Sequence, residues 1–230
     1  MTWRRAVVIG ANGGIGSALA KGLETQGAAV VRLARSEAGD RHIDLTEGSI
    51  AAAADSVGAG GPCDLVIVAT GMLHAPGIQP EKTWRQLAPD ALAQQFAVNA
   101  IGPALVAKHF LPLLSEDRRA GFAALSARVG SIADNRLGGW YGYRASKAAL
   151  NMLVRSLSIE LARSRPQAFC VALHPGTVDT RLSAPFQRNV PAGQLFDPAT
   201  SATALLDVLD RCDARTTGRI LAWDGTEIAP

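Results

Sequence analysis

The sequence predicts an α/β protein: one doubly wound parallel sheet of about seven strands with helices on both faces. Three observations predict it. Short apolar runs alternate with helical stripes from end to end, a glycine-rich turn follows the first run, and no repeat or low-complexity linker divides the 230 residues. Residues 1–230 are therefore expected to form a single domain.

The strand candidates are Arg5–Ile9, Ala28–Leu33, Leu65–Ala69, Phe122–Ser126, Ala168–Leu173 and Arg219–Ala222, with "RHIDL" (41–45) a weaker seventh. Most are apolar throughout rather than alternating, as strands covered on both faces should be. Ile15, Leu19 and Leu23 make a helical stripe that stops at Gly27. Leu150, Leu153, Val154, Leu157 and Leu161 make another, and Asp197-Pro198 supplies an N-cap and first-turn proline for a third. "QQFAVNAIGPALVAKHFLPLL" (94–114) reads as one helix interrupted by Pro103, which has no N–H for the carbonyl of Asn99 four residues earlier. The stretch 181–196 has no period and is expected to be a substrate loop.

Composition excludes several classes. A net charge of +3 with scattered Lys and Arg gives no nucleic-acid footprint. Cys63, Cys170 and Cys212 lack metal-ligand spacing and suit buried thiols in a reducing compartment. Apolar runs fall short of a membrane span and the first is too short for a signal segment, so the expectation is cytoplasmic.

"GANGGIG" (10–16) follows the first strand and opens the first helix. Glycines there let the backbone turn sharply and bring a pyrophosphate against the helix N-terminus, so Gly10, Asn12, Gly13, Gly14, Ile15 and Gly16 are candidate dinucleotide contacts. The second strand ends in Arg35 with no acid before Glu37. A guanidinium suits a 2′-phosphate, so NADP(H) is favoured, with NAD(H) the alternative.

"GGWYGYRASKAAL" (138–150) places Tyr143 and Lys147 at i and i+4 on one helical face. Tyr141 lies about 200° around the helix from Tyr143, so Tyr143 is the candidate acid/base and Tyr141 a wall or packing residue. A phenol titrates near ~10, and a neighbouring ammonium together with a nicotinamide cation favours the phenolate.

"GANGGIG", "HIDLT", "FAVNAIGP", "YGYRASK" and "HPGTVDT" stand in the order of the short-chain dehydrogenase/reductase family, which the chain resembles over most of its length. "GSIADNRLGGWYGYRASKAALN" and "GRILAWDGTEI" resemble its C-factor-like and insect carbonyl-reductase-like branch. The resemblance implies a Rossmann-type fold and reversible hydride transfer between NAD(P) and a small carbonyl or alcohol. It implies Tyr143 as acid/base, Lys147 lowering its pKa and holding the nicotinamide ribose, and Asn99 holding a water that links Lys147 to solvent. Asp44, beside Leu45, is implied to contact the adenine. Gly71 survives in "VIVATG" (66–71), where Val68-Ala69 replace the family's asparagine pair, and Pro175, Gly176, Val178 and Thr180 are implied to line the nicotinamide. Homodimers or homotetramers are implied as well.

The pattern breaks at the serine expected to hold the substrate oxygen, whose slot is Ala127. Ser126 is adjacent but faces the other way if the strand continues, and the spacing of Ser131 from Tyr143 favours Ser131. The rival from another class is a cofactor-binding signalling or regulatory protein with little turnover. A sugar-nucleotide epimerase is disfavoured because 230 residues leave little room for a substrate domain.

Overall fold

A computed structural model describes residues 3–191 and 193–230; Met1, Thr2 and Ala192 lie outside the described residues, so the predicted loop 181–196 is covered except at Ala192. Six parallel strands form the main sheet: β1 (Arg5–Ile9), β2 (Ala29–Leu33), β3 (Leu65–Val68), β4 (Ala120–Leu125), β5 (Ala168–His174) and, last in the chain, a short edge strand at Ile220–Ala222. β3 and β4 are buried at every position, which explains their unbroken apolar runs. A separate two-stranded parallel pair joins β6 (Thr177–Val178) to β7 (Leu195–Phe196), making the edge strand β8 in chain order. The order β2-β1-β3-β4-β5-β8 reverses direction between β1 and β3, so a crevice opens at their carboxyl ends.

Helices cover both faces. α1 (Gly14–Thr25) and α6 (Pro198–Arg211) pack Leu19, Leu23, Leu205 and Leu209 on one side. α2 (Glu47–Ala59), α4 (Gly102–Phe110) and α5 (Tyr141–Ser164) pack Ile50, Phe110, Leu150 and Val154 on the other. Gly27 turns left-handed after α1, and Asp197 caps α6 by accepting from the N–H groups of Ala199 (2.9 Å) and Thr200 (3.0 Å), as the sequence predicts.

Three expectations change. The sheet has six strands because "RHIDL" does not join it: Gly39–Arg41 is a 3-10 turn, and His42 makes only an isolated bridge to Ala34. Asp44 spends its carboxylate on Thr46 N (2.9 Å) and Oγ1 (2.7 Å), and Leu45 is left-handed (φ 69°), so local side-chain bonding defeats the extended pairing. The helix interrupted by Pro103 is α3 (Pro89–Phe96), a π-helical segment Ala97–Ile101, and then α4; its irregularity sits in the turn before the proline, where the N–H is missing. By length and composition Pro89–Leu113 could cross a membrane, but here Val106, Ala107 and Phe110 belong to the sheet-facing core. Within 181–196, a 3-10 turn (Ala184–Asn189) and β7 give the stretch internal structure.

Gly121 allows β4 to pass under an aromatic ring. A Cβ there would lie 2.2 Å from the Cζ of fully buried Phe169, which stacks edge-on with Trp3. The ring cannot retreat, so Gly121→Ala is expected to cost about 1–3 kcal/mol of overpacking in urea unfolding. An unchanged midpoint would refute this account of the strand.

Candidate active site

The site begins where β1 ends. Gly10 is left-handed (φ 84°), and its N–H and that of Ala11 both donate to Leu33 O of β2 (2.8 and 3.1 Å), which folds the glycine turn across the strand ends. Gly16 then passes against the turn so closely that a Cβ would sit 2.2 Å from Gly10 O. Only glycine permits this approach. α1 has no side-chain cap and no acidic residue in its first turn, so the N–H groups around Gly14 and Ile15 face the crevice uncompensated. That donor set fits an anionic diphosphate, with Gly13 as N-cap. Thr180 closes over it: its Cγ2 lies 2.7 Å from where a Gly14 Cβ would be.

Asn12 ties the turn to the segment after β2, donating from Nδ2 to Ser36 Oγ and Glu37 Oε1, both at 2.7 Å. Arg35 beside them is exposed. Asp44 is held below the usual carboxylate range, first by the Thr46 N–H and then by its hydroxyl.

On α5, Tyr143 (7% exposed) and Lys147 (3%) lie on one buried face, with Lys147 Nζ 5.8 Å from the centre of the Tyr143 ring; Tyr141 is half-buried away from it. Lys147 Nζ donates to Leu125 O at the end of β4 (2.7 Å). Gly71 stands at the convergence: a Cβ there would lie 3.8 Å from Lys147 Nζ, 3.7 Å from Asn99 Oδ1 and 3.7 Å from Leu182 Cδ1. Asn99 is fully buried, and its side chain is committed. Oδ1 accepts from Met72 N (2.8 Å), while Nδ2 donates to Met72 O (2.8 Å) and Ser146 Oγ (3.1 Å). In α-helical register its main-chain carbonyl would point at Pro103, which has no N–H to give it.

The two candidate serines each have a local partner. Ser126 donates to Asn151 Oδ1 (2.7 Å), and Ser131 Oγ accepts from Asp134 N within its own loop (3.0 Å). Neither hydrogen-bonds Tyr143, and Ala127 between them is extended (φ −152°). Beyond β5, Ser201 Oγ donates to Pro175 O, Gly176 (φ 78°) turns against Phe196 and Trp223, and buried Val178 pairs with Phe196.

An aromatic wall was not foreseen. Trp140 meets the Tyr143 ring at 6.3 Å and Phe186 at 5.3 Å, and Phe186 meets His74 at 5.7 Å, all edge-to-face. His74 Nε2 lies 3.2 Å from Arg181 O, closing the loop 181–189 onto the wall. Its one sequence signal is "GGW": Gly138, Gly139 and Trp140 are all left-handed (φ 64°, 65° and 50°), which turns the indole toward Tyr143.

Comparison with known proteins is consistent with this geometry. The family described as short chain dehydrogenase matches residues 4–191. C-signal of Myxococcus xanthus is 40% identical over 138 residues, 60% of this chain and 77% of that protein. A 1-hydroxy-2-glutathionyl-2-methyl-3-butene dehydrogenase of a Rhodococcus species is 32% identical over 67% of this chain and 66% of its own length. Among solved structures, NADPH-bound carbonyl reductase from chicken fatty liver superposes with TM-score 0.82 at 28% identity, covering 99% of each chain. The carbonyl reductase Sniffer of D. melanogaster has the same fold, with TM-score 0.82 at 23% identity over 99% of each chain.

Burial pushes Tyr143 up to about 12 and Lys147 down to about 7. Between about 7 and its ordinary 10.5, Lys147 carries a proton in the unfolded chain that it lacks when folded. Unfolding there takes up a proton, so stability rises with pH across that window, and below it the burial penalty is felt in full. Tyr143 acts with the opposite sign, but only above its ordinary 10.0. Urea unfolding from pH 7 to about 9 should show this rise in the parent and lose it in Lys147→Met. An equally steep rise in the variant would assign it to another group.

Proposed function

Because this chain belongs to the short-chain dehydrogenase family and is an NAD(P)-dependent oxidoreductase, we propose that it interconverts a carbonyl and an alcohol with NADP(H), using Tyr143 as the acid/base. The observation that carries the reading is the convergence of Lys147 Nζ and Asn99 around Gly71, on the face of α5 that carries Tyr143 and beside the uncapped N-terminus of α1. A bound nicotinamide supplies or takes up the hydride.

The chain's own residues do the rest. The α1 N-terminus, the glycine turn and Thr180 hold the diphosphate, and Arg35 holds the 2′-phosphate, while Asn12 braces the segment after β2 beside it. Gly71, Pro175, Gly176 and Val178 border the nicotinamide end, with Asp44 and Leu45 at the adenine end. Tyr143 gives its proton to the carbonyl oxygen during reduction and takes it back during oxidation. Burial alone opposes the phenolate, so the positive charge of protonated Lys147 is what makes the proton mobile; a pKa of about 7 leaves that charge half present near neutrality. The carbonyl of Asn99 connects Lys147 to solvent through water. Trp140 and Phe186 give the substrate side an apolar aromatic surface, suited to a moderately apolar small carbonyl. The protein is proposed to work in the cytoplasm as a homodimer or homotetramer.

A second reading, a cofactor-binding signalling protein of low turnover, draws on the similarity to C-signal and on Ala127, which leaves the substrate oxygen without the usual hydroxyl donor.

Tyr143→Phe should lower carbonyl reduction ~10²–10⁴-fold while NADPH binding persists; unaltered turnover would remove Tyr143 from the mechanism. In NADPH and NADH assays side by side, Arg35→Ala should raise the KM for NADPH roughly tenfold or more and leave NADH kinetics nearly unchanged. A parent that uses NADH alone would overturn the cofactor assignment. Ala127→Ser should raise kcat, by up to ~10²-fold if it restores an oxyanion-type donor, and no gain would show that the slot does not face the substrate.

A further inference from the structure

Glu81 lies on the excursion between β3 and α3 that also carries Gly71 and His74, and it is 3% exposed. It holds the start of α5 twice. Its main-chain oxygen accepts from Trp140 N, and its carboxylate Oε2 accepts from Gly142 N at 3.2 Å. α5 has no side-chain cap of its own, because left-handed Trp140 occupies the N-cap position. A carboxylate from 61 residues upstream therefore does the capping.

Behind it, Gln95 of α3 is fully buried, and neither its amide nor Glu81 Oε1 has a partner. The gap is confined to one point. A Cβ on Gly142 would meet Gln95 Oε1 at 2.7 Å and Glu81 Oε1 at 3.0 Å, so both oxygens crowd the same bare helix backbone. Two acceptor oxygens cannot bond each other, but a half-turn of the amide would put the Nε2 donor on the side of Glu81 Oε1. Gln95 of α3 thus backs the carboxylate that caps α5 one residue away from Tyr143, and the close packing leaves little room for a side chain at Gly142.

We propose that Glu81, backed by Gln95, is a positioning residue that aims Tyr143 by fixing the first turn of α5. The brace grips Trp140 and Gly142 on either side of Tyr141, and so sets both the indole against the phenol and the phenol itself. Misplacement of a reacting group by about 1 Å can cost ~10²-fold in rate. The proposal rests on the acid/base reading of Tyr143.

The test compares Glu81→Ala, Glu81→Gln and Glu81→Asp in the full chain, by steady-state kinetics with NADPH and a carbonyl panel and by amide hydrogen exchange over residues 140–147 without cofactor. Glu81→Ala should lower kcat about 10–100-fold, with the NADPH dissociation constant within about threefold, and should speed exchange in that segment. With deuterated NADPH its primary isotope effect should grow, as chemistry becomes rate-limiting. Glu81→Gln keeps an oxygen acceptor for Gly142 N and should recover most of the rate and protection. If Glu81→Ala does not fold, Glu81→Asp, one methylene too short to reach, should show the same losses. Parental kcat in Ala or Asp variants that are merely less stable, or a Gln variant as slow as Ala, would overturn the proposal. If the parent itself turns over no carbonyl, the acid/base reading fails separately, and the exchange data decide the brace: unchanged exchange in the Ala and Asp variants overturns it.

Discussion

The bond from Lys147 Nζ to Leu125 O holds α5 against the central strand, and most of the candidate site is arranged around it. Leu125 ends β4, and beyond it Ser126 N pairs with Leu173 O as the chain leaves the sheet. The turn that follows presses Gly130 onto Lys147, where a Cβ would meet the lysine's own Cβ at 2.7 Å. The lysine is thereby sealed in with no carboxylate bonded to it, only a carbonyl. Burial without a counter-charge lowers its pKa, while the same burial raises that of the phenol beside it. The two shifts are coupled by geometry: whatever keeps Tyr143 dry also keeps Lys147 only partly charged, and a bound cofactor would change both environments together.

The remaining site groups come from places where regular hydrogen bonding stops. The glycine turn ends β1, α1 begins without a side-chain cap, and the π-helical segment at Ala97–Ile101 breaks the α3–α4 run just where Pro103 withholds an N–H. Each interruption takes backbone groups out of regular secondary-structure pairing. The asparagine at the break is committed through its side chain, which clamps Met72, and so Gly71, to α5 through Ser146. Gly71 stands where three sides converge, within ordinary contact of Asn99, Leu182 and Lys147.

Local signals made part of this legible in the sequence. Apolar runs marked the six strands of the main sheet, the i, i+4 rule placed Tyr143 rather than Tyr141 on the face of Lys147, and Gly27 and Asp197 marked helix ends, because each depends on neighbours a few residues away. "RHIDL" misled because apolar alternation says nothing about Asp44 bonding forward to Thr46. α2 passed unnoticed because Ala51–Ala54 draw no stripe; alanine suits a buried helix face without displaying one. The aromatic wall and the Glu81 brace were out of reach for another reason: Glu81 and Gly142 are 61 residues apart, His74 and Arg181 are 107 apart, and no local pattern records such pairs.

Ala127 gives these long-range contacts their weight. On the proposed chemistry, a hydroxyl in that slot would give a substrate oxygen a second donor. Here Ser126 donates to Asn151 and Ser131 accepts from Asp134, so the placement of Tyr143 and of what holds it gains weight. Gly138 and Gly139 take up the left-handed region freely, but left-handed Trp140 is a costly way to begin a helix. It is held because Glu81 O accepts from Trp140 N and Trp140 O accepts from Arg144 N. The cost is local, and the return is an indole seated against the Tyr143 phenol.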